Sequence, residues 1–436
     1  MISITYLVTI SSDDACEHAL NNLLGECSRK GAPSHFVERL RSLLIEFKDI
    51  FRTNLTLDPP ALVTPLNLEM LPGSAPVSTK PRRLVPAAHQ YVRTLVKELV
   101  DCALVFPNPN SRWALPAFVV NPDTKPRMVV DLIPAKRAMV KYYFPMPYLY
   151  TLGSHLVQSK VFFTLDAFKG YWQFPVCGYL DIQSFITLDG IFTPKRILQG
   201  NCNGVFAFQR GMSEIFGDLI PSRLLIWLDD VLGHAPDSEG LLSLLELVFQ
   251  KCRERRLKLN ASKCQFYLTE ALWCGHVYSA DGMKHDPKRL SALENFSIPT
   301  TASDLMQFVC AATWLSSSIA DFSRLVSPLR SFLERCLHGA PVRSKKYAKR
   351  IVLSDVGWDQ SHHTAFFSLI DAIRNATTLG FPNPDLIPCL FTDASLSFWS
   401  IIITQIPEED LSRPFAEQRH QPLAFSSGEF KGASLR

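Results

Sequence analysis

The sequence predicts an α+β fold spread over several domains, and three observations carry that expectation. Leu224-Leu225-Ile226-Trp227-Leu228 is an apolar run followed by Asp229-Asp230 and a second short apolar run, Val231-Leu232. That is the pattern of a β-hairpin with two acids at its bend. Val161-Phe162-Phe163-Thr164-Leu165-Asp166 is a second β-branched and aromatic run, and it too ends in an acid. Elsewhere, apolar residues recur at three- and four-residue spacing over 36–51 and 88–104, and a long helix is expected over 237–257.

A length of 436 residues corresponds to roughly two to four domains of about 100–200 residues. With 47% hydrophobic and 20% charged residues the chain can bury a core and does not read as disordered. The formal charge of +4 argues only weakly for a polyanionic partner, so local clusters matter more. The eleven cysteines are scattered with no C-x-x-C spacing. They read as reduced thiols of an intracellular protein rather than a disulfide framework or zinc site. The opening run from Met1 to Ile10 lacks a basic segment, and no later run approaches the ~18 apolar residues of a membrane span, so neither secretion nor a membrane partner is expected.

In chain order, residues 1–35 read as an irregular leader, and Asp13-Asp14 within it as a solvated acidic pair. Ser34 is a candidate N-cap for the first helix. A proline-rich linker to residue 86 follows, carrying Lys80, Arg82 and Arg83, which either lie along a phosphate backbone or keep an extended loop soluble. After the second helix, 115–120 and 127–132 read as strands joined by the turn Asn121-Pro122-Asp123-Thr124. Lys125, Arg127, Lys136, Arg137 and Lys141 around this hairpin are either a solvated face or the makings of a triphosphate clamp.

Directly after Asp166, Gly170-Tyr171 places a ring that either closes a sugar pocket or packs in the core. Gln199 in the turn Ile197-Leu198-Gln199-Gly200-Asn201 either reaches a nucleotide or caps the turn, ahead of a helix over about 204–219. Short strands are expected over 263–267 and 272–278, where His276 by itself reads as structural. Helices follow over 303–336 and 359–375. The basic run Arg343-Ser344-Lys345-Lys346-Tyr347-Ala348-Lys349-Arg350 between them either stays solvated or contacts nucleic acid. Strands near 389–393 and 398–404 close the chain.

Two neighbouring carboxylates stay ionised near neutral pH only when solvated or neutralised by a cation. If the two acid-bearing strands are neighbours in one sheet, Asp166, Asp229 and Asp230 converge. Oxygen ligands at that density suit Mg²⁺, and a pair of such ions serves in-line phosphoryl displacement. The alternative is an acidic turn at the surface.

The order of these segments resembles the reverse transcriptase region of gypsy-type long-terminal-repeat retrotransposon Pol polyproteins, over roughly residues 37–436. Arg127-Met128-Val129-Val130-Asp131 is similar to the family's fingers strand, and Leu165-Asp166 with Gly170-Tyr171 to its first palm motif. Trp227-Leu228-Asp229-Asp230 resembles its double-aspartate hairpin, with Trp for the usual Tyr. Gln199-Gly200 and Phe208-Gln209 match its nucleotide-pocket motif loosely. Ser262-Lys263-Cys264 and Trp273-Cys274-Gly275-His276 resemble its thumb-proximal motifs.

The resemblance implies a right-hand polymerase. Fingers and an antiparallel-sheet palm would occupy 87–280, thumb and connection helices 281–376, and a partial RNase H-like domain 377–436. Asp166, Asp229 and Asp230 would hold two Mg²⁺ ions, and Arg127, Tyr171 and Gln199 would line the dNTP site. Lys80, Arg82, Arg83, Lys263 and His276 would contact nucleic acid. The implied activity is RNA-directed DNA synthesis on a primed RNA or DNA template, in the cytoplasm, within a virus-like particle, or in the nucleus.

Phe391-Thr392-Asp393-Ala394-Ser395 is similar to the first RNase H strand, with Asp393 its one matched acid. A truncated domain without RNase H activity is therefore expected. Two departures stand out: the fingers lysine falls on Val119 or Val120, leaving Lys125 as a substitute, and the pocket segment 200–205 lacks its usual proline. A catalytically inactive remnant that binds nucleic acid without turnover is the competing expectation. No protease, zinc-knuckle or integrase motif is present, and the chain reads as a piece of a polyprotein.

Overall fold

A computed structural model describes residues 12–121, 124–340 and 343–430. They divide into two compact units, one comprising the residues up to Leu152 with Gln158–Ala271, the other Gly153–Val157 with the residues from Leu272 onward.

The first unit opens with α1 (Ser12–Arg29) and α2 (Ser34–Glu46). The irregular leader expected over 1–35 is therefore corrected from Ser12 on. Cys16, Leu20, Leu23, Leu24 and Cys27 form a buried stripe at helical spacing, and that stripe outweighs the polar composition around it. The run from Met1 to Ile10 lies outside the described residues. Helix α3 (Pro86–Asp101) follows the extended linker and begins on proline, whose missing N–H is not needed in a first turn.

A five-stranded sheet then runs in the order Val105–Pro107, Gly190–Pro194, Phe185–Thr187, β1 (Leu115–Val120) and β2 (Arg127–Val130). β1 and β2 are antiparallel, with Val120 opposite Arg127. Pro122 and Asp123 of the expected turn lie outside the described residues.

The site is built on a second sheet. Its strands are β3 (Val161–Asp166), β4 (Leu224–Trp227), β5 (Asp230–Ala235) and β6 (Gln265–Leu268), in the order β4-β5-β3-β6 and antiparallel throughout. Helices α4 (Gly204–Phe216) and α5 (Ser238–Glu254) belong to the same hydrophobic core. Phe162 and Phe163, neighbours on the central strand, are both 0% exposed, so both faces of β3 are covered. Gly233 stands opposite Phe163, and a Cβ there would fall 2.1 Å from the ring's Cζ. Only glycine lets the ring lie across its neighbour strand. α5 starts where the Asp237 carboxylate accepts the Gly240 N–H at 2.8 Å. The N-terminal helices buttress the far side of β6: the Cys27 thiol donates to the Phe266 carbonyl at 3.3 Å, and the Phe36 and Tyr267 rings lie 4.8 Å apart.

The second unit holds a three-stranded sheet of β7 (Glu270–Trp273), β8 (His276–Ser279) and β9 (Gly282–His285). The unit boundary falls within β7, ahead of the expected division at 280. Helices α6 (Pro287–Glu294), α7 (Ala302–Thr313), α8 (Phe322–Cys336) and α9 (Gln360–Arg374) share a core that includes Leu305, Phe308, Leu329, Phe366 and Leu369. A last antiparallel sheet runs β10 (Ile387–Ala394), β11 (Phe398–Ile406), β12 (Gln421–Glu429). The connection before β12 is pinned by the buried Asp410 carboxylate, which accepts from the Arg419 Nε at 2.9 Å and holds Arg413 Nε at 3.2 Å.

Candidate active site

Asp166 is the last residue of β3 and Asp230 the first of β5, and the register sets them directly opposite one another. Opposed residues in an antiparallel pair have Cα atoms about 4.5–5.5 Å apart. Asp229 occupies the tight turn before Asp230, next to Leu228, whose φ of 57° is left-handed. Three carboxylates thus gather at one end of the sheet. Asp230 is solvent-exposed as a residue, yet its carboxyl is pushed above the ordinary range, first by desolvation, then by Asp229 and Asp166, against the opposing pull of Lys263.

Lys263 meets Asp166 directly, Nζ to Oδ2 at 2.9 Å. Among the described residues, no three His, Cys, Asp or Glu side chains already stand as a closed metal-ligand cluster. The backbone brings the acids together, while an ammonium group engages one of them.

Tyr171 sits in the turn Gly170–Gln173, entered through Lys169 at φ 44°. Burial raises its phenol pKa, and the charge of Asp229 raises it further. The ring lies 5.1 Å from Phe208, and a Cβ on Gly170 would meet Phe208 at 2.8 Å. Tyr171 is therefore a packed aromatic, and it also feels the charge of Asp229.

Two supporting residues escaped the sequence reading as site residues. Gln209 on α4, 3% exposed, donates through Nε2 to the Ile226 carbonyl at 3.3 Å and accepts the Leu228 N–H at 2.8 Å through Oε1. It holds the aspartate hairpin by both of its flanks. Asn203 accepts the Tyr142 N–H at 3.0 Å and donates to the Val140 carbonyl at 2.8 Å, tying the pocket turn to the segment after the fingers hairpin. A polar residue on the apolar face of a helix was the available signal in Gln209, because a buried amide needs partners.

Of the other candidates, Arg127 is exposed on β2 and Lys125 is exposed just before it. Gln199 is exposed on the turn that Gly200 closes, and Lys80, Arg82 and Arg83 are exposed along the extended linker. Asp393 is exposed near the end of β10, opposite Ser400.

His276 requires correction as a nucleic-acid contact. It is 2% exposed, its ring 5.4 Å from Trp314 and 5.1 Å from His285, which faces it across β8 and β9. The strand alternation turns it inward. Burial, with His276 and Arg289 nearby, pushes the pKa of His285 down to about 4, and its Nε2 pairs with the Ser318 hydroxyl at 2.9 Å. An unfolded histidine titrates near ~6.5. Stability from this neutral ring is therefore full above that pH and falls as the pH drops toward 4, by up to about 3 kcal/mol. His285→Gln is predicted to flatten the acid side of a denaturant-midpoint titration between those limits; an unchanged slope would contradict the assignment.

An antiparallel sheet with paired acids at its hairpin, a fingers sheet and a following helical unit define a right-hand polymerase fold. The foamy viral protease-reverse transcriptase dRH, in its structure with double-stranded DNA, has the same fold at a TM-score of 0.81 and 16% identity, over 99% of this chain and 70% of that one. Its structure with an RNA/DNA hybrid matches at 0.80 and 16%, over 100% of this chain and 54% of that one. Residues 119–300 match the family model for Reverse transcriptase (RNA-dependent DNA polymerase).

The Pol polyprotein of transposon 412 from Drosophila melanogaster is 27% identical over 433 residues, 96% of this chain and 32% of that protein. That of transposon gypsy, from the same organism, is 23% identical over 76% of this chain and 32% of that protein. The family match over residues 119–300 and these relatives support a retrotransposon-type reverse transcriptase region, as the motif order implied. It spans about a third of the length of these relatives.

Proposed function

We propose that the chain is an RNA-directed DNA polymerase that extends a primer 3′-hydroxyl with dNTPs on an RNA or DNA template. The observation that carries the proposal is the register placing Asp166 opposite Asp230, with Asp229 in the adjoining turn. The donor set consists of carboxylate oxygens alone, and desolvation, then Asp229 and Asp166, raise Asp230, so the residues fit a hard divalent cation such as Mg²⁺. Asp166, Asp229 and Asp230 would hold it. When bound, two such ions supply charge stabilisation at the attacking and departing oxygens.

The chain's own residues do the rest. Tyr171 bounds the sugar side of the pocket and excludes a 2′-hydroxyl. Arg127, and Lys125 in place of the lysine missing at Val119 or Val120, grip phosphate oxygens. Gln199 lines the nucleotide, and Lys80, Arg82 and Arg83 follow the nucleic-acid backbone in a salt-dependent way. The foamy viral complexes with double-stranded DNA and RNA/DNA hybrid support a template-primer partner. All eleven cysteines are free thiols, which supports a reducing, intracellular setting. RNase H cleavage is not part of the proposal, because Asp393 is the one acid matched to that domain.

The expected result is primer extension on an RNA template with dNTPs and Mg²⁺ that stops on chelation. Tyr171→Ala is predicted to narrow dNTP-over-rNTP selection by roughly tenfold or more. Salt-sensitive primer-template binding without extension would instead establish the inactive-remnant reading.

A further inference from the structure

We propose that Lys263 is a built-in counter-ion for Asp166 that a divalent metal must displace, so that metal binding and release of this lysine are coupled. The proposal rests on the polymerase reading of the three carboxylates. It goes beyond that reading by giving Lys263, expected from the sequence as a nucleic-acid contact, a positioning role toward the metal-binding acid itself.

The anchor of the lysine is rigid while its tip is not. The turn leading into β6 is closed by the Lys263 N–H on the Asn260 carbonyl at 3.1 Å and by the Ser262 N–H on Asn260 Oδ1 at 3.1 Å. β6 then pairs with β3, Gln265 opposite Thr164. The backbone of Lys263 is therefore fixed beside the strand that ends in Asp166, although 97 positions separate the two in sequence. From there Nζ reaches Oδ2 at 2.9 Å, with the lysine side chain 60% exposed and the aspartate 22%.

This ammonium occupies one oxygen of a carboxylate that faces a second acid across the ladder. It places a positive charge against one of three acids gathered at the end of the sheet. A divalent ion entering the cluster meets a like charge a few ångströms away, so ion and ammonium oppose each other. Because the ion pair is largely open to water it is weak, and the flexible lysine stem can swing out while the backbone stays in place. The arrangement gives Asp166 a positive partner before a metal arrives without blocking the metal's entry.

The test measures metal binding by the full chain, using Mn²⁺ alone and its free-ion paramagnetic resonance signal, without nucleic acid or nucleotide. Lys263→Met is expected to bind Mn²⁺ about three- to fivefold more tightly than wild type, the range open to an exposed ion pair. Lys263→Arg, which keeps the charge, should stay near wild type and controls for folding. In an Asp166→Asn background the effect of Lys263→Met should vanish, since the pair is already broken.

Equal affinity of Lys263→Met and wild type would overturn the proposal. So would a gain that persists in Asp166→Asn, because that marks a general charge effect rather than competition at this carboxylate. Absence of bound Mn²⁺ in wild type and Lys263→Met alike would overturn the counter-ion role and the polymerase reading together. Ordinary binding without the Lys263 effect would overturn the counter-ion role alone.

Discussion

Asp229→Asn is expected to lower primer extension by about a thousandfold or more. A metal ligand that stabilises transition-state charge is worth several kcal/mol, and ~4 kcal/mol corresponds to that factor in rate. The loss should come without unfolding. Asp229 lies in an exposed turn, and its charge raises the pKa of Asp230. A carboxyl whose folded pKa exceeds its unfolded value binds protons more readily in the fold, so its ionisation costs stability as the pH rises through the unfolded value and then the folded one. At neutral pH the ionised Asp230 is therefore a net cost to the fold, and both Asp229→Asn and Asp230→Asn should hold or slightly raise the unfolding midpoint. Wild-type extension by Asp229→Asn would remove the carboxylate chemistry from this site. A collapse of the midpoint would show that the residue is structural.

Gln209→Leu should reduce turnover by roughly 10- to 100-fold, because sub-ångström displacement of catalytic groups costs rate on that scale. The buried amide satisfies the Ile226 carbonyl and the Leu228 N–H at once. An apolar side chain of similar size leaves both unpaired, at a cost of about 1–3 kcal/mol each. Leu228 also sits at a left-handed φ of 57°, which a non-glycine residue keeps only when its surroundings hold it. Once released, the turn relaxes and carries Asp229 and Asp230 with it. Steady-state kinetics beside a melting curve separate the outcomes. A lower kcat at nearly constant KM supports positioning of the acids, whereas unchanged kcat with a lowered midpoint confines Gln209 to stability.

The candidate site was legible where chemistry and local pattern coincide. Asp166 and Asp229 each follow an apolar run and Asp230 opens another, and strands of that composition are buried, so the acids mark the sheet end that meets solvent. What was misread shares one cause. α1 hides five buried residues among polar ones, and their value depends on β6 and α2, which the local stretch does not reveal. His276 stands in a motif that suggests a nucleic-acid contact, yet strand alternation points it at Trp314 and His285. Gln209, read only as part of a loose motif match, also braces the hairpin.

By itself the sequence determined the candidate residues for the chemistry, many of the strand and helix types around them, and the motif order that resembles a retrotransposon reverse transcriptase region. Tertiary structure alone decided that Asp166 faces Asp230, that Lys263 reaches across 97 positions to pair with Asp166, and that His276 turns inward. The reason is register. Side chains alternate along a strand with period two, so a slip of a single residue sends every one of them to the opposite face. No stretch of sequence records which register its partner strand will impose.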